Sequence, residues 1–279
     1  MKRREFVQWG AGALLAAGLW PGRLQAVEST KTEAANEGSW RFIAVNDLHV
    51  VEAACRPWFD AVVAAMKRET PDAAFCLANG DLADSGLATQ LTDACEAFAA
   101  LSVPVYATPG NHDYAAGDNR SAYEKIYPGH INQSFEHRGW QFVGLDSSQG
   151  TRFENVEIQP ATFEWLDTHL PQLDQKKPTV IFTHFPMGAG VKYRPLNADA
   201  LLERFLDFNL QAVLSGHWHG ASEKSWHNAT LTTDRCCSRV RNNHDGSKQK
   251  GWFVCEVKAG RLSRRFVEIP AVPAGRALP

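Results

Sequence analysis

An α/β fold with a largely parallel sheet is predicted by three features of this 279-residue sequence. From Trp40 onward, short runs rich in β-branched and aromatic residues alternate with helical stretches of about 10–15 residues, the signature of βα units. Five of the apolar runs end in clusters of Asp, Asn and His, where open α/β sheets put their ligand sites. After His219 the texture changes to short strand candidates separated by turns. The expectation is a single domain whose α/β body is completed by antiparallel strands.

The elements follow in order. WRFIAVN reads as a strand, and residues 57–69 as a helix with Phe59, Val62, Val63 and Met66 at helical spacing. AAFCLAN is a strand, residues 87–100 a helix, and VPVYATP a strand. Residues 111–132 read as irregular. Then come QFVGLD (strand), 161–170 (helix), PTVIFTH (strand), 199–208 (helix) and AVLSGH (strand), followed by strand candidates at 229–233, 251–257 and 262–268. The chain divides into a 1–26 export segment, a polar 27–39 linker, a 40–270 domain and a 271–279 tail.

The export segment is read from its composition. Lys2-Arg3-Arg4 precedes a mildly apolar Gly/Ala/Leu stretch that ends in small residues at Ala26, too short and glycine-rich for a stable membrane span. Arg3-Arg4-Glu5-Phe6-Val7 resembles the twin-arginine signal, so a periplasmic or secreted protein is expected. Loss of its four basic and one acidic residue would change the net charge from −2 to −5. With 44% hydrophobic and 22% charged residues the chain is globular in profile, and its acidic balance gives no surface for nucleic acid or anionic membrane. The six cysteines form no CxxC pair and no zinc-ribbon spacing. Oligomeric state is not legible.

The strand ends carry the chemistry. The first run ends in Asn46-Asp47-Leu48-His49, the second in Asn79-Gly80-Asp81-Leu82-Ala83-Asp84, and the third in Gly110-Asn111-His112-Asp113. The fourth ends in His184, the fifth in Gly216-His217-Trp218-His219-Gly220. In extended backbone residues i and i+2 share a face, so Asp47 and His49, like His217 and His219, are expected to converge while Trp218 turns away. Singly, each motif has an ordinary explanation as a helix cap, a turn or a core histidine. Five in succession, always at a strand end, point to a metal site. Asp, Asn and His without thiolate suit Fe, Mn or Zn. Seven candidate ligands exceed the needs of one tetrahedral ion and fit two ions sharing a carboxylate.

The series DLH, GDLAD, GNHD, THFP and GHWH resembles the five-motif signature of calcineurin-like metallophosphoesterases, over residues 40 to about 220. QFVGLDSS, FEWLDTHL and VIFTHFPMG resemble the bacterial branch that holds class III cyclic-nucleotide phosphodiesterases and glycerophosphodiesterases. The resemblance implies a sandwich of two mixed β-sheets flanked by helices. It also implies two transition-metal ions, one on Asp47, His49, Asp81 and His219, the other on Asp81, Asn111, His184 and His217. A metal-bridging hydroxide would attack a small phosphate ester, His112 would assist the leaving group, and the Asp84 carboxylate would orient His112. A phosphodiester is the favoured substrate and a phosphomonoester the alternative. His49 stands where purple acid phosphatases differ, which argues against that branch.

A non-catalytic binding module of this fold would be expected to lack ligands or the GNHD histidine, and here every position is filled. A nuclease of the superfamily would carry an added DNA-capping domain, for which there is little room. Residues 111–132 and 187–197, the latter with Lys192, Tyr193 and Arg194, are expected to rim the site. His130, His137, His169, His227 and His244 are expected to be solvated.

Overall fold

The computed structural model describes residues 38–269. Residues 1–37 and 270–279, which include the export segment, most of the linker and the C-terminal tail, lie outside the described residues. Two mixed sheets form the body. The first is ordered β11-β10-β1-β2-β3, where β1 is Trp40–Val45, β2 Ala73–Asn79, β3 Val105–Thr108, β10 Gly251–Lys258 and β11 Arg261–Glu268. The second is ordered β4-β5-β6-β7-β9-β8, with β4 Gln133–His137, β5 Trp140–Leu145, β6 Thr179–Thr183, β7 Leu210–Ser215, β8 Ser222–Trp226 and β9 Ala229–Thr233. Strands β1, β2 and β3 run parallel, as do β5, β6, β7 and β9, and antiparallel strands finish the edges.

Strand periodicity divides the core into layers. Phe42 and Ala44 on β1 and Phe75 and Leu77 on β2 face Phe142, Val180, Phe182, Ala212 and Leu214 of the other sheet. Phe42 stacks on Phe75 with ring centroids 5.0 Å apart. The alternate residues Ile43, Val45, Cys76 and Ala78 turn outward. Against them pack α1 (Arg56–Glu69), α2 (Ala88–Ala99) and Tyr123 of the short α3 (Ser121–Ile126). On the other side Val143, Leu145, Ile181 and Val213 meet α4 (Pro160–His169) and α5 (Ala198–Glu203). The expected two-sheet sandwich is therefore present.

Three expectations are corrected. The 111–132 stretch holds α3, whose six residues are too few to display a helical period. The 199–208 helix is only Ala198–Glu203, and Arg204 to Asp207 turn instead. Strands β4 and β8 were not expected; both are sheet edges with alternating or largely exposed polar residues. All six cysteines are free. Among the described residues no helix is long and apolar enough to cross a membrane.

Candidate metal centre

Parallel strands end on the same side, so the loops after β1, β2, β3, β6 and β7 gather at one edge of the sandwich. Main-chain bonds continue the sheets into those loops. Asp47 N donates to Gly80 O at 3.1 Å, His49 N to Asp81 O at 2.9 Å, and Gly216 N to His184 O at 2.9 Å. Five of the seven candidate ligands take left-handed backbone: Asp47 (φ 56), His49 (φ 47), Asp81 (φ 53), His217 (φ 64) and His219 (φ 46). Each such residue costs about 1–3 kcal/mol and persists only where its surroundings impose it. Asp and His are among the non-glycine residues that tolerate this region best. The expected extended i, i+2 arrangement is thus replaced by bends. Two glycines are needed for close approach: a Cβ at Gly110 would collide with the Asp81 carboxylate, and one at Gly216 would lie 2.5 Å from Asp47 Oδ2.

The bends bring the predicted residues together in two buried groups that share Asp81. In one, His49 Nε2 lies 3.1 Å from His219 Nε2 and 3.5 Å from Asp81 Oδ2, and His219 Nε2 lies 3.1 Å from Asp47 Oδ1. In the other, His184 Nε2 lies 3.1 Å from His217 Nδ1 and 3.4 Å from Asp81 Oδ1. His217 and His219 therefore do not converge on one point; each faces a different partner.

The opposite ring nitrogens explain why. His184 Nδ1 donates to Asn79 O (2.9 Å), His217 Nε2 to Phe153 O (2.8 Å) and His219 Nδ1 to Asn242 O (3.1 Å). A carbonyl can only accept, so those nitrogens carry protons and the inner ones present lone pairs when the ring is neutral. His49 Nδ1 lies 3.2 Å from the Asp84 carboxylate, which fixes its inner nitrogen likewise. Two imidazole lone pairs 3.1 Å apart repel unless a proton or a cation lies between them. Asn111 Oδ1 is buried with no hydrogen-bond partner among the described residues, an acceptor in want of a donor or a metal. Asp47, His49, Asp81 and His219, and Asp81, His184 and His217, are donor sets suited to a metal ion, and Asn111 lines the same cavity.

Electrostatics agree. Burial disfavours charge on His184, but the Asp81 carboxylate overrides it and pushes the imidazole up to about 9. Burial is likewise outweighed at His219 by Asp47, reaching about 11. Their partners move the other way: burial and the His184 charge press His217 down to about 3, and burial lowers His49. Without metal, each imidazole pair shares one proton. Metal uptake near neutral pH is therefore expected to release about two protons per chain. The sign for stability is opposite. The proton on His184 stabilises the metal-free fold fully below its ordinary value near 6.5 and ceases to do so as pH rises through about 9. Between pH 6 and 9 the gap in Tm between metal-loaded and metal-free protein should widen, measured by thermal denaturation. A gap independent of pH would refute the shared proton.

His112 is half-buried and sits over His49, ring centroids 4.7 Å apart. Its main-chain N donates to Asp81 Oδ1 at 2.8 Å, and its Nδ1 lies 2.7 Å from the main-chain carbonyl of Asp84. The Asp84 group that holds His112 is thus the carbonyl, where the carboxylate was expected. The carboxylate instead takes Arg241 at 2.8 and 2.5 Å, besides its approach to His49. Asp113, buried beneath, accepts from Ala83 N (2.9 Å) and Gly110 N (2.8 Å), tying the second and third loops together.

The centre opens into a cavity of about 750 Å³. Its lining includes His112, Tyr114, Phe153, Tyr193, Arg241 and His244. Of the expected 187–197 rim, Tyr193 lines the cavity, whereas Arg194 turns to Asp199 and to Met187 O. His244 was expected to be solvated; it is exposed, yet its ring stacks on His219 at 5.0 Å. Arg241, Asn242 and Phe153 escaped the sequence reading. Asn242 and Phe153 serve through carbonyls, which leave no mark in a sequence. For Arg241 the only signal was the basic, polar composition of the 235–250 loop.

Hydrolases with this double-sheet body and paired Asp/His clusters on its strand ends form one class, the metallophosphoesterases. The sequence says the same: the model of the calcineurin-like phosphoesterase family matches residues 41–221, over half of the chain, and the chain belongs to that family. It is 27% identical over 164 residues to the probable glycerophosphodiester phosphodiesterase of Arcobacter nitrofigilis, covering 55% of this chain and 59% of that one. The match thus spans less than two thirds of that relative. It is 28% identical over 211 residues to the probable cyclic nucleotide phosphodiesterase of Rhodopseudomonas palustris, covering 64% and 74%. Among solved structures, a dimetal phosphatase from Danio rerio superposes with a TM-score of 0.64 at 15% identity, over 82% of this chain and 98% of that one, a likeness of fold.

Proposed function

We propose that this chain hydrolyses a phosphodiester at a two-metal centre, with His112 assisting the departing alcohol. The observation that carries the reading is the Asp81 carboxylate shared between two buried groups, whose facing imidazole nitrogens offer lone pairs to cations, beside a buried Asn111 oxygen with no hydrogen-bond partner among the described residues. One ion would be held by Asp47, His49, Asp81 and His219, the other by Asp81, Asn111, His184 and His217. Such a pair of Fe, Mn or Zn ions supplies a water acidified to react near neutral pH and offsets phosphoryl charge.

The chain's own groups do the rest. Because His112 Nδ1 is committed to the Asp84 carbonyl, Nε2 is the nitrogen left to hold and deliver a proton. The Asp81 contact to His112 N ties that residue to the carboxylate that would hold both ions. Asp113 stiffens the loop beneath. A diester has a second alcohol to accommodate, and Phe153 and Tyr193, ring centroids 6.4 Å apart, line the cavity beyond His217. The two named relatives support the same preference.

The test is elemental analysis with a substrate panel of phosphomonoesters, bis-p-nitrophenyl phosphate, cyclic nucleotides and glycerophosphodiesters. Close to two ions per chain and diester turnover at least equal to monoester turnover are expected. One ion or fewer, with no gain from added Mn, Fe or Zn, would overturn the dinuclear reading. Strong monoesterase without diesterase activity would overturn the diester reading.

A further inference from the structure

We propose that Arg241 binds a phosphoryl oxygen of the substrate, with Asp84 as the residue that positions it beside His112. The proposal rests on the phosphate-ester reading of the centre and assigns that site a residue outside the matched family region and all five motifs. Arg241 lines the cavity together with His112 and Ser85, and its side chain is 41% exposed. Nε and Nη2 both donate to Asp84 Oδ1, while Nη1 has no hydrogen-bond partner among the described residues. Its main chain is anchored as well: Arg241 N donates to Oγ of the buried Ser238 at 3.0 Å, and the Lys250 ammonium donates to Arg241 O.

The Asp84 carboxylate, which also lies 3.2 Å from His49 Nδ1, holds the guanidinium by Nε and Nη2 with one nitrogen left over, in the wall of the cavity. A planar, permanently charged group with spare N–H donors matches phosphoryl oxygens better than any other side chain. Asp84 thus bears two substrate-facing groups: its carbonyl holds the His112 ring and its carboxylate holds the Arg241 fork.

The experiment titrates inorganic phosphate into the metal-loaded full chain by calorimetry, comparing wild type with Arg241→Met and Arg241→Lys. Metal content should stay as in wild type. Phosphate affinity should fall about 10- to 100-fold in Arg241→Met, the size of a lost charge-assisted hydrogen bond, and less in Arg241→Lys. kcat/KM should fall by a like factor on p-nitrophenyl and alkyl esters alike. Unchanged phosphate affinity, loss of a metal ion, or a loss graded by leaving group would each overturn the proposal; the last would make Arg241 a support for His112 alone. Failure of the hydrolase reading looks different: wild type would turn over no ester, and the phosphate titration would still report on Arg241.

Discussion

Asp81→Ala should lose both metal ions at once and lower turnover by at least about three orders of magnitude, the scale of several kcal/mol of charge stabilisation. Asp81 is 1% exposed, and its two oxygens address different imidazoles, Oδ2 that of His49 and Oδ1 that of His184. Among the described residues no other belongs to both buried groups. It also receives the His112 main-chain N–H, so its removal loosens the proton donor's loop. Asp81→Asn, with the same size and no charge, keeps that acceptor and separates the two effects. Elemental analysis on folded protein, checked by circular dichroism, is the measurement. Retention of two ions in Asp81→Ala would show that the two groups do not share a ligand.

The second large effect spares the metals. His112→Asn should keep the wild-type ion content while kcat drops by about 10²–10⁴, the range for loss of proton transfer. The drop should be smaller for p-nitrophenyl esters, whose leaving group needs little protonation, and larger for alkyl esters. Full activity on an alkyl ester, or metal loss, would remove His112 from this role. His217→Ala is the control, since it removes the Nδ1 that faces His184 and should respond to excess metal.

The contrast between these two variants shows what was readable in advance. The clustering of Asp47, His49, Asp81, His184, His217 and His219 was legible because parallel strands deliver their ends to one edge, so polar residues after apolar runs betray a site without any knowledge of its geometry. The geometry itself was hidden. Asp47, His49, His217 and His219 lie in left-handed bends; Asp47 and His49 do meet in one group, but spacing alone gave no sign that His217 and His219 belong to two, a division that only the family resemblance implied. The edge strands β4 and β8 were missed because strands at a sheet boundary carry polar residues that discourage further pairing, and so lose the apolar signal. Arg241 was missed because its partner Asp84 lies 157 residues away, joined to it only by folding.

Phe153 has two occupations that are independent of each other. Its carbonyl holds His217 in the right tautomer, and any residue at this position would supply that carbonyl. Its side chain, 55% exposed, belongs to the cavity wall. Natural selection can therefore rewrite what the wall admits, one side chain at a time, while the backbone goes on serving the ion. Change in the cavity wall and preservation of the His217 hydrogen bond are uncoupled at this residue.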